Sequence, residues 1–210
     1  MIFSDPICFN EVLLKAQQHI RAMFRREGAP DLCYHNFIHT EGVVADALWI
    51  GKGSCLNEEQ LFIVELAAWF HDSGFTNTYN THEKESAELA SSFLRHLNVE
   101  SHIIEQVTES ILATRMPQSP QNLIQEVLCD ADLAYLGRNR FFDVSEKLRT
   151  EWKNENIENL TEHDFSMVSA DFLRSHRYFT EFARQQLDEG KWRNLNLIDV
   201  KVQNNKHINS

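Results

Sequence analysis

"LAAWFHDSGF" (Leu66–Phe75) runs an apolar helical pattern straight into a histidine and an aspartate. Ile63, Leu66, Ala67 and Phe70 recur at helical spacing, and His71 follows Ala67 by four residues, so it falls on the same buried face. A charge placed there needs a partner, either another side chain or a cation. The stretch therefore predicts a core helix with a polar site at its end.

The same periodicity extends in both directions. Residues 10–26 read as a first helix ending near Gly28, and 39–50 as a second, with Val43, Ala47 and Ile50 in register. Asn57 and Gln60 have the spacing of a capping box and open the helix that ends in the quoted stretch. Residues 81–97 and 102–114 read as further helices. Ser119-Pro120 reads as a helix start, with Ile124, Val127, Leu128, Ala131 and Tyr135 on one face as far as Leu136. Helices are also expected at 139–153, 162–175 and 177–188. The reading is all-α: a single-domain helical bundle over 1–199, with 200–210 a loose tail.

Composition supports this. The 210 residues include only 7 glycines and 4 prolines, too little turn chemistry for a many-stranded protein. The formal net charge of −11 argues against a polymeric nucleic-acid partner, which would need a basic footprint. The N-terminal MIFSDPICFN lacks a basic leader, and no 18-residue apolar run suggests a membrane span. Cys8, Cys33, Cys55 and Cys129 form no close pair and read as reduced thiols, which fits a cytoplasmic protein. Oligomeric state is not legible.

Four polar clusters interrupt the apolar faces: His35 and His39 in "YHNFIHT", His71 and Asp72, His82 and Glu83 in "THEKES", and Asp130 and Asp132 in "LCDADLAYLG". Singly, each has a structural explanation as a core hydrogen-bonder, a cap or a solvated turn. Together they lie at helix ends or in core-forming helices, and imidazole with carboxylate suits a divalent cation such as Mn, Mg, Fe, Co, Ni or Zn. Asp130 and Asp132 point about 200° apart on a helix, so one ion would not take both, and periodicity does not choose between them.

His39, His71-Asp72 and an Asp in "DADL" resemble, in order, the H…HD…D signature of the HD-domain superfamily of metal-dependent phosphohydrolases. The likeness spans a motif core of residues 35–137. It implies an HD/phosphodiesterase-type helical fold, with His39, His71, Asp72 and Asp132 as metal ligands and one ion, or two sharing Asp72. "Ala131-Asp132-Leu133" matches the superfamily's last motif, which leaves Asp130 as a neighbouring carboxylate or the alternative ligand. "Tyr34-His35-Asn36" before His39 resembles helical cyclic-nucleotide phosphodiesterases and implies His35 as general acid, with Asp72 the other catalytic residue. His82 and Glu83 fall where relatives place second-metal or supporting groups, and Arg115 is a candidate phosphate contact or an ordinary surface arginine.

The chain also departs from these patterns. Phosphodiesterases of the mammalian type read His-Asp-x-x-His and the cyclic-di-GMP branch has lysine there, whereas this chain has Phe75. Arg115 stands where some relatives supply another histidine. The expected activity is hydrolysis of a phosphate ester of a nucleotide or similar small molecule, monoester or cyclic diester, by a metal-activated water. The alternatives are an HD-fold di-iron oxygenase and a non-catalytic nucleotide-sensing module.

Overall fold

A computed structural model describes residues 6–27, 30 and 32–208, and every regular element among them is helical. In chain order these are α1 (Pro6–Arg25), α2 (Phe37–Gly53), α3 (Glu58–Phe70), α4 (His82–His96), α5 (Ser101–Ala113), α6 (Leu123–Asp132), α7 (Phe141–Asn154), α8 (Glu162–Ser175) and α9 (Glu181–Ile208). Single 3₁₀ turns follow α3 at Ser73–Thr76 and α6 at Ala134–Gly137. The all-α expectation holds. No described helix is long and apolar enough to cross a membrane.

The span read from sequence as one domain comprises two compact units: residues up to 31 with 35–132, and residues 32–34 with 133–210. In the first, α3 packs against α1, α2, α4, α5 and α6. It is therefore buried on more than one face, with Phe62, Val64, Ala68 and Trp69 buried beside the predicted Ile63–Leu66–Ala67–Phe70 stripe. Its start is the predicted capping box: Gln60 N–H donates to Asn57 Oδ1 (2.9 Å) and Asn57 N–H to Gln60 Oε1 (3.0 Å).

The start expected at Ser119-Pro120 is displaced to Leu123. Ser119 N–H still bonds back to Ala113 O at the end of α5 (3.1 Å), so the chain has not yet turned into the next helix. Asn122 is the cap, accepting from Gln125 N–H (3.1 Å), while Gln125 Oε1 accepts from Gln121 N–H (2.7 Å). The helix then stops at Asp132, four residues before the expected end.

The second unit packs Leu133, Leu136, Phe141, Ala170, Leu173, Leu195 and Ile198 into one core. Here the sequence reading needs correction. The helix expected at 177–188 begins later, at Glu181 behind a Thr180 cap, and runs through the supposed loose tail to Ile208. Gly190 does not end it, because its bare Cα lets the backbone of Gly137 approach; a Cβ there would meet Gly137 O at 1.9 Å. Beyond residue 199, Val202 packs on the core and Lys201 Nζ pairs with Glu162 Oε1 at 2.5 Å, which holds the tail in helix. Cys33, Cys55 and Cys129 are free thiols, and Cys8 lies outside the described side chains.

Candidate functional site

Three elements of the first unit deliver one donor set. His39 stands in the first turn of α2, which Asn36 caps by accepting from the N–H groups of Ile38 (3.0 Å) and His39 (3.2 Å). His71 and Asp72 follow the last residue of α3, where the negative end of the helix dipole favours positive charge. Asp132 is the last residue of α6. One ligand atom from each of the four residues lies within 4.8 Å of all the others.

Asp72 Oδ2 is 3.1 Å from His71 Nε2 and 3.2 Å from His39 Nε2, and Asp132 Oδ1 is 3.7 and 3.5 Å from the same two atoms. His71 is completely buried and Asp72 is 5 % exposed. His71 Nδ1 lies 2.8 Å from Ala68 O; a carbonyl only accepts, so Nδ1 carries the hydrogen and Nε2 faces the carboxylates with a lone pair when the ring is neutral. Neither His71 Nε2 nor Asp72 Oδ2 makes a hydrogen bond, although both are buried. Two imidazole nitrogens and two carboxylates converging this way fit a divalent cation, which would satisfy those atoms together.

Electrostatics show the same pressure. Burial alone would lower the His71 and His39 imidazoles, but the carboxylates of Asp72 and Asp132 outweigh it: His71 is held well above the usual range and His39 is raised. Burial would raise the two acids, but the histidines outweigh it, bringing Asp132 to about 2 and Asp72 well below its ordinary value. The buried Asp72 and the partly exposed Asp132 thus favour positive charge on the two imidazoles. A divalent ion supplies the same charge.

Beside this set stands a group of rings. Phe75 stacks on His35 (centroids 3.9 Å, planes 20° apart) and on His82 (3.8 Å, 21°), and Tyr79 meets Phe75 edge-on at 4.9 Å. His82 Nε2 lies 3.8 Å from Asp72 Oδ1 and 3.6 Å from Glu83 Oε1. The turn that carries Phe75 is pinned from both ends. Gly74 N–H donates to Ser86 Oγ (2.8 Å), and Arg26 donates to Thr76 O and Asn77 Oδ1 (both 2.7 Å). At Gly74 a Cβ would meet His82 O at 2.1 Å, so only glycine lets this turn reach the start of α4.

The residues expected from sequence thus divide. His39, His71, Asp72 and Asp132 come together, with His35, His82 and Glu83 adjoining. Asp130 is fully buried but outside the donor set, as its opposite helical direction from Asp132 requires. Arg115 is exposed just after α5. Cys129 also lies outside the donor set, and burial pushes its thiol up. Sequence reasoning missed Asn36, although an Asn before a helix is a cap signal, and it missed Phe75 and Tyr79 as the walls of the site.

No protein-family model matches the chain, and no curated protein matches it. Solved structures do. The Lin1889 protein of Listeria innocua superposes with a TM-score of 0.65 at 17 % identity, over 91 % of this chain and 94 % of that one. A protein described as a predicted HD superfamily hydrolase, from an uncultured Thermotogales bacterium, superposes with a TM-score of 0.62 at 18 % identity, over 91 % and 92 %. The chain shares its all-α fold with both proteins. Along the chain the cluster is drawn from a histidine entering α2, the His-Asp pair leaving α3 and the aspartate closing α6.

Proposed function

We propose that the chain is a metal-dependent phosphohydrolase acting on a phosphate ester of a nucleotide or similar small molecule, monoester or cyclic diester. The observation that carries this reading is the convergence of His39, His71, Asp72 and Asp132, with His71 locked in the tautomer a ligand needs. The hydrolase named among the similar folds supports it. His39, His71, Asp72 and Asp132 would hold a divalent ion, which would supply Lewis acidity to a phosphoryl oxygen and to the attacking water near neutral pH.

The chain's own residues do the rest. His39 and His71 present neutral nitrogens, and Asp72 and Asp132 balance the charge of the ion. Asp72 turns Oδ2 into the cluster and Oδ1 toward His82, and Oδ1 accepts a proton from the attacking water. The water oxygen bonds to phosphorus as the ester bond breaks, and His35 gives its proton to the leaving oxygen. The stack of His35 on Phe75 and its edge-on packing against His39, 6.0 Å away, support this role. Glu83 and Asp130 support the site, and Arg115 is left a minor role with the phosphate. Free cysteines and the acidic net charge support a cytoplasmic enzyme with a small-molecule substrate.

The test is a screen of purified protein against nucleoside monophosphates, cyclic nucleotides and aryl phosphates with Mn, Mg, Co or Ni. Metal-dependent release of phosphate or of the opened monoester is expected, with loss of at least about 100-fold in His71→Ala and Asp132→Ala, since even supporting groups around a metal cost roughly 10–100-fold. No turnover with any metal, while ions remain bound, contradicts the proposal.

A further inference from the structure

The two histidines beside the cluster, His35 and His82, are separated by Phe75. The His35 and His82 centroids are 6.3 Å apart, while each lies under 4 Å from the Phe75 centroid. Two rings on one face at those separations could not be so far apart, so the imidazoles sit on opposite faces of the phenyl ring. Phe75 is 4 % exposed, and Tyr79 closes its edge.

We infer that Phe75 is a partition that confines the site to a single ion. This rests on the metal reading above and adds to it the count of ions and the residue that sets it. His82 Nε2 approaches Asp72 Oδ1 at 3.8 Å and Glu83 Oε1 at 3.6 Å, which alone would suggest a second position. Yet among the described residues only the four-residue set brings three or more metal-ligating atoms within 4.8 Å of one another. Around His82, Asp72 and Glu83 no three donors lie within 4.8 Å of one another, so a second ion would find at most two at a time, and the remaining imidazole, His35, is on the far side of an apolar ring that offers no lone pair. Closing an ion against that ring would also strip its hydration without replacing it. His82 is thereby a positioning residue, set on Phe75 and aimed at the oxygen of Asp72 that the first ion does not take.

The experiment is saturation of metal-free protein with Mn²⁺ by equilibrium dialysis, counting bound ions by elemental analysis. Wild type is expected to saturate at one ion per chain, Phe75→Tyr at one, and Phe75→His, which puts a donor where the partition stands, at two. The wild-type count needs no variant to fold. Saturation of wild type at two, or of folded Phe75→His at one, overturns the inference. Zero ions bound by wild type would remove the metal reading and this inference with it, whereas one ion bound without hydrolysis removes only the proposed activity.

Discussion

His71 concentrates the site's chemistry in one side chain. Its Nδ1 donates to Ala68 O at 2.8 Å, so Nε2 is the atom left for the carboxylates or for a cation, and the residue is wholly buried. In the metal-free chain His71 and His39 hold protons above the ordinary imidazole range because Asp72 and Asp132 outweigh burial. An ion must displace those protons. Metal binding should therefore release protons near neutral pH and weaken as pH falls; binding calorimetry in two buffers of different ionisation enthalpy checks this. An apparent affinity flat from pH 8 to 6, with no proton release, would mean that these imidazoles are not the ligands. The donors were legible in the sequence because His and Asp are costly inside apolar helices. The choice of Asp132 over Asp130 was not legible from periodicity, since both lie beside the apolar stripe, and it is the end of α6 that turns Asp132 into the cluster.

The decisive element is the 3₁₀ turn after α3. It ends the central helix, carries Phe75 and touches the first residue of α4 through Gly74. Gly74→Ala should cost about 3 kcal/mol, at the upper end of overpacking, because the obstacle is backbone at 2.1 Å rather than a side chain that can swing away. It should also loosen the His82 and Phe75 stack. Chemical denaturation measures the first effect, and the near-ultraviolet circular dichroism of the aromatic cluster reads the second; unchanged values for both would show that the turn tolerates a side chain. Most helices were legible because their apolar spacing and caps are local. The start of α6 and the end of α9 were not: a backbone bond from Ser119 to Ala113 delays one, and the Gly137–Gly190 approach permits the other to continue.

Across the whole molecule, the division into two compact units left no trace in local pattern. The unit boundary follows Asp132, inside a run that reads as continuous helix, and residues 32–34 join the second unit through contacts such as Tyr34 N–H to Glu151 Oε2 at 2.7 Å, 117 positions apart. The second unit also buries His176, with neither ring nitrogen hydrogen-bonded, beside the fully buried Lys191. Burial first, and then Lys191, lower His176 from the ordinary 6.5 to about 4. Between those values the unfolded chain binds a proton that the folded unit does not, so stability falls as pH drops through that window and levels off below it. The loss is on the order of 3 kcal/mol. His176→Phe, which keeps a ring between Phe172 and Tyr178, should flatten that dependence in urea unfolding at pH 7 and pH 5. An equal loss in variant and wild type would assign it to other groups.

The central claim is that four side chains at the ends of three helices hold one cation. Its most direct test is an anomalous difference map from crystals of the protein loaded with Mn²⁺. The account predicts a single peak within coordination distance of His39 Nε2, His71 Nε2, Asp72 Oδ2 and Asp132 Oδ1. No peak between those atoms at saturating Mn²⁺, or a peak coordinated by other residues, would contradict it.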